Sequence, residues 1–471
     1  MPISDNVSAV NAVLKFLYKA GVPHATYNKQ ALLNKFKVNA DFTGEKKVLA
    51  IQIANPQGFG SSFSRAYQNA SSAETYKRWQ LFRVQHYGFA RVDGEVMRTA
   101  VDPGALVNVW KNRTQSVVQG MHNSAGRLVY GAGTGKIGVV GVTIAAAASA
   151  STITLQTAAD ISNFEVGMAI AIYDTYDGLN GLAGNSLGVG DSFAAAHVNL
   201  TNGNAADEAT YTADTTTPGV FTRTIASIQR DINAGTATIT LNAPIATVAG
   251  QSIKAGAIIV RDGDGIVVTG TVGNVTYDTN AKAPAGIEQW IGGSLIGSQP
   301  TKDTLFALDR STDKLRLGGQ VLNGAGLNMV EALQTLEANI LFQGIGYPDA
   351  IVCNPVDMGN LKKSALSDVL RIPAQDPKQN LNFQDMVFMG QNGPIPFVQD
   401  PFCPRNKAYM LKMDSWGIHC APGGMFQLVD WDGVNYLRLT NADTYEARFA
   451  SYYQIGCDNP GTNGYIYNWG A

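Results

Sequence analysis

A glycine-rich motif is the first candidate for chemistry in this sequence. Gly133-Thr134-Gly135-Lys136-Ile137-Gly138 matches the G-x-G-x-x-G pattern of dinucleotide-binding folds. Such a site needs a strand before the glycines and a helix after them, because the helix N-terminus holds the pyrophosphate. Here a helical pattern comes first and a β-rich run begins at Val139-Val140. Ile137 also stands where a Walker loop would need Ser or Thr for magnesium. We therefore interpret this motif as a flexible connection.

Three other patterns could hold a nucleophile or a metal ion. Gly184-Asn185-Ser186-Leu187-Gly188 matches G-x-S-x-G, but it lies in a low-complexity tract instead of a strand–turn–helix elbow. Aspartate and glycine recur at 174–178 and 262–265, where ordinary turns are favoured and calcium binding is the second interpretation. His419 and Cys420 are adjacent, so on a strand their side chains point to opposite faces. The sequence therefore predicts no catalytic residue, no cofactor, no metal site and no enzymatic activity.

A mixture of basic and aromatic residues is the strongest candidate for a binding surface. Its members are Lys77, Arg78, Trp79, Arg83 and Arg91. Such a surface could bind single-stranded nucleic acid, but no binding module accompanies it and protein interfaces share this composition. We favour a contact between subunits, in which truncating a docked aromatic costs roughly 2 kcal/mol or more. Truncating Trp79 and Arg83 together is then expected to leave a folded subunit that assembles poorly.

The segment that carries this mixture, residues 41–101, has the pattern of a long excursion from the body. Residues 48–53 form one predicted strand, residues 55–72 a Gly/Ser/Asn-rich tip, and residues 77–92 a second strand. Two strands with a flexible tip do not build a core of their own. The excursion is therefore expected to pack on a neighbouring subunit.

Helical patterns flank the excursion. The arm, residues 1–40, contains one helix with apolar residues Val7, Val10, Leu14 and Leu17 and a second short helical piece with Ala31, Leu32, Leu33 and Phe36. After the excursion, Asp102-Pro103 provides a cap and a proline suited to the first helical position. The helix that follows carries Leu106, Val109 or Trp110, Val117 and Met121, and is predicted to end at 123–126.

Residues 142–268 differ in composition and contain a weak internal repeat. Thr152-Ile153-Thr154-Leu155 precedes a glycine and a strand at 167–172, and Thr238-Ile239-Thr240-Leu241 precedes a glycine and a strand at 256–260. Two such halves predict a small inserted β-barrel or β-sandwich with its own core. Residues 176–220 have almost no periodicity and exceed the usual loop length of up to ~15 residues.

The last third returns to a mixed pattern. Residues 350–353 form a buried strand, and Asn354-Pro355 caps and opens a helix with Met358 and Leu361 on its apolar face. Strands follow at 395–399 and 408–413, joined by a turn at Asp400-Pro401. A helix is predicted within 326–343 and an alternating strand at 444–455.

The order of elements in 348–424 resembles the axial domain of tailed-phage major capsid proteins, which have the Hong Kong 97-like fold. The resemblance covers roughly 340 residues outside the insertion. It implies an α+β fold with an arm (1–40), an extended loop (41–101), a spine helix and peripheral domain (102–141), the inserted β domain (142–268), an axial domain (269–424) and a return to the peripheral domain (425–471).

The resemblance implies a structural role. Chains would assemble with themselves into hexamers and pentamers that form an icosahedral head, located in the virion, around phage DNA. A scaffolding protein and a portal are the expected partners, a decoration protein is a further one, and contact with packaged DNA would be non-specific. The first alternative is an encapsulin-like nanocompartment shell, and the second is a β-rich carbohydrate-active enzyme or adhesin.

Composition agrees with a protein whose surface is covered by other subunits. Charged residues make up 15% of the 471 residues, below the roughly 25% typical of soluble proteins. The four cysteines lack a C-x-x-C pair, which predicts buried free thiols. Free thiols are typical of a protein made in a reducing compartment, here a host cytoplasm. No apolar run approaches the roughly 18 residues of a membrane span. Residues 141–290 carry roughly 13 acids and 5 bases, so this acidic region is expected to face away from DNA.

Overall fold

The computed structural model describes residues 32–70, 74–95, 109–131, 133, 135–144, 149–173, 221–231, 235–246, 255–262, 264, 271–272, 275–276, 283–292, 304–342, 346–368, 387–429, 437–438 and 443–470. Several predicted features lie outside these residues. They are the first arm helix, the Asp102-Pro103 helix start, the 176–220 tract with its G-x-S-x-G motif, and the Asp/Gly turn at 174–178.

The described residues form helices and strands in a mixed α+β arrangement, as predicted. The helices are α1 (Phe63–Asn69), α2 (Val109–Leu128), α3 (Ile287–Ile291), α4 (Lys314–Leu317), α5 (Met329–Phe342) and α6 (Pro355–Asp368). Short 3-10 helices cover Leu33–Lys35, Ala158–Asn163, Met413–Ser415 and Pro460–Thr462. The strands are β1 (Lys37–Asn39), β2 (Lys46–Ala54), β3 (Thr75–Phe82), β4 (Val84–Asp93), β5 (Lys136–Val139), β6 (Ser149–Thr154), β7 (Ala169–Tyr173), β8 (Phe221–Asp231), β9 (Thr236–Ala246), β10 (Ile258–Arg261), β11 (Thr271–Val272), β12 (Val275–Thr276), β13 (Thr304–Leu305), β14 (Leu308–Asp309), β15 (Gln320–Asn323), β16 (Ala350–Cys353), β17 (Val387–Gly390), β18 (Gly393–Gln399), β19 (Lys407–Leu411), β20 (Trp416–Cys420), β21 (Gln427–Leu428), β22 (Leu437–Arg438), β23 (Thr444–Cys457) and β24 (Gly464–Tyr467).

A six-stranded central sheet is built around β23. This strand pairs with β4 over ten positions, with β20, β21 and β22 as further antiparallel neighbours, and β1 adds to β20 in parallel. Helix α2 packs on one face of β4, where Gly88 leaves room for Met121; a Cβ atom at Gly88 would collide with the methionine sulfur. The predicted strand at 444–455 is confirmed, and it extends to Cys457.

The inserted β-rich region is a small closed barrel. Its strand order is β5-β10-β7-β8-β9-β6. The two outer strands meet, because Gly141 N donates to Thr154 O at 2.7 Å and Gln156 N donates to Val139 O at 2.9 Å. The repeated glycines both adopt positive φ, 85° at Gly167 and 102° at Gly256. The first strand of the barrel, β5, begins at Lys136 within the glycine motif, six residues before the predicted start of the insertion at 142.

A second six-stranded sheet, of order β15-β24-β19-β16-β18-β17, lies in the remaining part of the chain. Its strand β16 is buried along its whole length, as predicted. Asn354 Oδ1 accepts from Val356 N at 3.0 Å, and Pro355 opens α6, so the predicted cap is confirmed. The predicted turn after β18 is also present, since Asp400 Oδ1 accepts from Phe402 N at 2.9 Å.

Among the described residues, apolar side chains form three separate clusters. One lies between the central sheet, α2, α3, the hairpin β2–β3 and one face of the second sheet described above. A second fills the barrel. The third lies between the second sheet and helices α5 and α6. The arm enters the first cluster, where Phe36 stacks on Trp416 with ring centroids 5.7 Å apart.

The excursion differs from its sequence-based description in two ways. The single strand predicted at 77–92 is two strands: β3 pairs with β2 and β4 pairs with β23, and Arg83 lies at the break. The tip, predicted as flexible, contains helix α1. The division of the strand arises because the pairing partner changes at residue 83, which a periodicity of two does not reveal.

Candidate assembly surface

Trp79 lies at the base of the hairpin and is fully buried within its own chain. Its indole contacts that of Trp290 edge to face, with ring centroids 5.4 Å apart. Trp290 in turn donates from Nε1 to Ile455 O at 3.0 Å, which fixes it against the central sheet. The inference that these strands have no core of their own is therefore wrong for Trp79. Sequence reasoning missed this because Trp290, its partner, lies far away in the chain.

The four basic residues predicted with Trp79 do not form one patch. Lys77 is half-buried and Arg78 is exposed, both on β3. Arg83 is exposed at the break, where it donates to Phe42 O at 3.2 Å and lies over the Phe42 ring at 5.2 Å. Arg91 lies on β4 and pairs with Glu446 of β23. Their role as subunit contacts remains a prediction for each residue separately.

The hairpin tip carries the most exposed aromatic side chains among the described residues of the excursion. Phe63 is 87% exposed and Tyr67 is 76% exposed, one helical turn apart on α1, and Phe59 beside them is 69% exposed. No residue of α1 is buried. A helix this short gains little from its backbone alone, so an aromatic pair with no cover points to a missing partner. The i, i+4 spacing of Phe63 and Tyr67 was the available signal in the sequence.

A second exposed aromatic surface lies on the central sheet, on the face opposite α2. Tyr87 and Phe89 of β4 are 47% and 50% exposed. Tyr87 contacts Tyr452 of β23 edge to face at 6.0 Å. These residues and the arginines beside them form what we call the sheet patch: Tyr87, Phe89, Arg91, Glu446, Arg448 and Tyr452.

Two arginines of the sheet patch bind one buried carboxylate. Glu446 accepts from Arg448 Nε at 2.6 Å and from Arg91 Nε at 2.5 Å, while its own side chain is 1% exposed. Burial opposes ionisation of Glu446, but the two hydrogen bonds outweigh it and lower its pKa. The residues of the sheet patch therefore carry a net charge of +1 beside its aromatic rings.

The histidine and cysteine residues considered above for chemistry lie in the interior of the described structure. His419 and Cys420 are both buried on β20, and burial, with Lys47 adding to it, lowers the pKa of His419 to about 4. All four cysteines are free and buried. Across the described ranges, no group of three or more His, Cys, Asp or Glu residues could hold a metal ion. No helix in that part of the chain is long and apolar enough to cross a membrane.

Comparison with known proteins finds similarity among solved structures. Neither a protein-family model nor a curated protein sequence matches this chain. The cyanophage A-1(L) capsid asymmetric unit is similar over 97% of this chain and 98% of its own, at 10% identity and a TM-score of 0.46. A Mycobacterium phage Ogopogo structure covers 98% of each chain at 9% identity and a TM-score of 0.40.

A nanocompartment shell is among the similar structures as well. The holo-SrpI encapsulin complex from Synechococcus elongatus matches over 99% of this chain and 96% of its own, at 6% identity and a TM-score of 0.38. The similar structures thus include capsids and an encapsulin. The functional argument comes from the chain's own surfaces.

Proposed function

We propose that this protein is a shell-forming subunit, a phage major capsid protein that assembles with copies of itself. The observation that carries this proposal is the hairpin tip. It is held out on two paired strands, it carries Phe59, Phe63 and Tyr67, and none of its helix is buried. Exposed aromatic side chains of this kind are stabilised when a partner's surface covers them, so the cluster is an interaction site.

The hairpin's length supports a partner in another copy of the chain. Strand β2 has nine residues, which at ~3.3 Å per residue extend roughly 30 Å. The tip therefore lies far from the base, where Trp79 is fixed. The sheet patch begins just after that base, on β4. Contact between the tip of one copy and the sheet patch of the next joins two different surfaces, and such contacts generate rings when the rotation between copies closes.

The finer features of the proposal come from the family resemblance. Hexamers and pentamers would form an icosahedral head in the virion around phage DNA. A scaffolding protein and a portal would be partners, with a decoration protein as a further one. We further propose that the subunit is made in the host cytoplasm and has no enzymatic activity. The similar structures are capsids and an encapsulin complex, and an encapsulin-like shell would differ by enclosing protein instead of DNA.

The decisive experiment separates assembly from folding. Phe63→Ser with Tyr67→Ser should abolish particles in negative-stain microscopy and sedimentation while circular dichroism stays unchanged, because neither side chain is buried. Phe342→Ser is the matched control: Phe342 is 93% exposed at the end of α5, away from the hairpin. Normal particles from the tip variant would contradict the proposal. Nucleic-acid content of wild-type particles distinguishes a phage head from a protein-filled compartment.

A further inference from the structure

The barrel joins the rest of the chain through two segments that touch. Gly133 and Gly135, between α2 and β5, adopt positive φ of 79° and 72°. A Cβ atom on Gly135 would overlap the backbone oxygen of Asp264, which follows β10 on the way out of the barrel. Only glycine fits this conformation and this approach. The glycine motif that failed as a nucleotide site is thus the place where entry to and exit from the barrel meet.

The barrel and the body do not share an apolar core. The barrel cluster draws all its described members from residues 137–259. The body cluster beside it includes Tyr130 and Ala285 but, among the described residues, nothing in between. Two units with separate apolar cores are expected to move relative to each other unless a large apolar interface joins them.

Charged and polar groups hold the barrel to helix α2. Arg127 Nη2 donates to Glu165 Oε1 at 3.2 Å, with side chains 8% and 43% exposed. The same guanidinium lies 5.5 Å from the ring centre of Phe402 in the body. One turn earlier, Ser124 Oγ donates to Asp264 Oδ2 at 3.1 Å. In both contacts a carboxylate of the barrel side accepts from a donor on α2.

A second set of charges lies where the barrel faces the second sheet. Glu288 of α3 accepts from Lys407 Nζ and from Tyr409 OH, each at 2.6 Å. Burial raises the pKa of Asp160, a barrel residue, to about 6, while Lys136 and Lys407 act in the opposite direction. Charges from both units therefore lie close enough to influence one another.

We propose that the barrel is a pivoting module, held in one orientation on the body by an ionic latch instead of an apolar interface. The latch consists of Arg127–Glu165 and Ser124–Asp264, and the pivot is the contact of Gly135 with Asp264. When the latch is weakened, the barrel changes orientation while both apolar cores stay folded. This inference does not depend on the shell function.

A distance measurement across the pivot tests the proposal. Ser227→Cys on the barrel and Ser311→Cys on the body, both exposed positions, carry spin labels in the full chain, diluted with unlabelled chains. The four natural cysteines are buried. Glu165→Lys should shift and widen the distance distribution, because it places two cations together. Adding Arg127→Glu restores an opposite-charge pair and should return the distribution to its original width.

Controls separate a released latch from a damaged fold. Glu331→Lys makes the same charge change on an exposed position of α5, outside the joint, and should leave the distances unchanged. If Glu165→Lys does not fold, Glu165→Gln and the unsubstituted chain in salt raised from ~0.1 to ~1 M replace it, since the Debye length falls from ~10 to ~3 Å. Unchanged distances in both would overturn the proposal, and so would a charge swap that fails to restore the width.

Discussion

Replacing Trp79 with alanine is expected to unfold the base of the hairpin, not merely weaken assembly. The side chain is fully buried and meets Trp290 at 5.4 Å. Truncating a buried Trp to Ala typically costs about 3–5 kcal/mol, and the edge-to-face pair adds ~0.5–1.5 kcal/mol beyond its buried area. A loss of this size is a large part of the ~5–15 kcal/mol that stabilises an ordinary domain.

The environment of the indole nitrogen allows a matched comparison. Among the described residues, Trp79 Nε1 has no hydrogen-bond partner, and an unsatisfied buried donor costs about 1–3 kcal/mol. Trp79→Phe removes that donor and keeps most of the ring, so we expect a net change within about 1 kcal/mol. Arg83→Ala, at an exposed site with one hydrogen bond to Phe42 O, should cost about 1 kcal/mol or less.

The assay is urea unfolding of unassembled subunits, made by placing each change in the Phe63→Ser, Tyr67→Ser background. Tryptophan fluorescence and circular dichroism report the transition. Trp79→Phe and Arg83→Ala are both expected to lie within about 1 kcal/mol of the background, with Trp79→Ala far below both. A Trp79→Ala subunit as stable as its background, yet unable to form particles in the native background, would refute the buried role. Trp79 would then be a subunit contact, as the basic and aromatic composition of its segment suggested.

Three further predictions concern the rest of the chain. The pKa of His419 falls to about 4 in the folded state, so the unfolded state binds more protons below pH ~6.5. The free energy of unfolding should therefore drop by about 2–3 kcal/mol between pH ~6.5 and ~4. Urea titrations should show a shallower drop for His419→Gln. Asn354→Ala should cost about 2 kcal/mol, because it removes the cap of α6 and the bond from Nδ2 to Cys403 O; Asn354→Asp keeps the cap and should lose less in the same titration. Residues 136–264 expressed alone should give a β-rich circular dichroism spectrum and a cooperative melt, because the barrel has its own apolar cluster; a random-coil spectrum would contradict this.

Local signals in the sequence were sufficient wherever a neighbour in the chain decides the structure. The Asn354-Pro355 cap, the turn at Asp400 and the repeated glycines of the barrel each depend on residues within one element or one turn. The tip helix could have been predicted as well, since Phe63 and Tyr67 have helical spacing. Its Gly- and Ser-rich surroundings concealed it.

Features set by distant partners were not accessible in the same way. The division of the 77–92 pattern at Arg83 follows from β3 pairing with β2 and β4 pairing with β23. Both strands alternate with the same period, so the change of partner leaves no mark on the pattern. The same limit applies to Glu446 and Gln454, polar residues of β23 that are buried in the structure. Gln454 donates to Phe82 O and accepts from Ala285 N. Glu446 accepts from two arginines.

The two ends of the hairpin have opposite environments, and together they explain how it could work. At its base, Trp79 is locked against Trp290, so the strands leave the body in a defined direction. At its tip, the aromatic rings are exposed and have no cover within the described residues. A partner that docks on the tip need not order the base as well, and less conformational entropy is lost on binding. Loosening the base should therefore weaken assembly even when every tip residue is intact, which is why stability and assembly must be measured on the same variants.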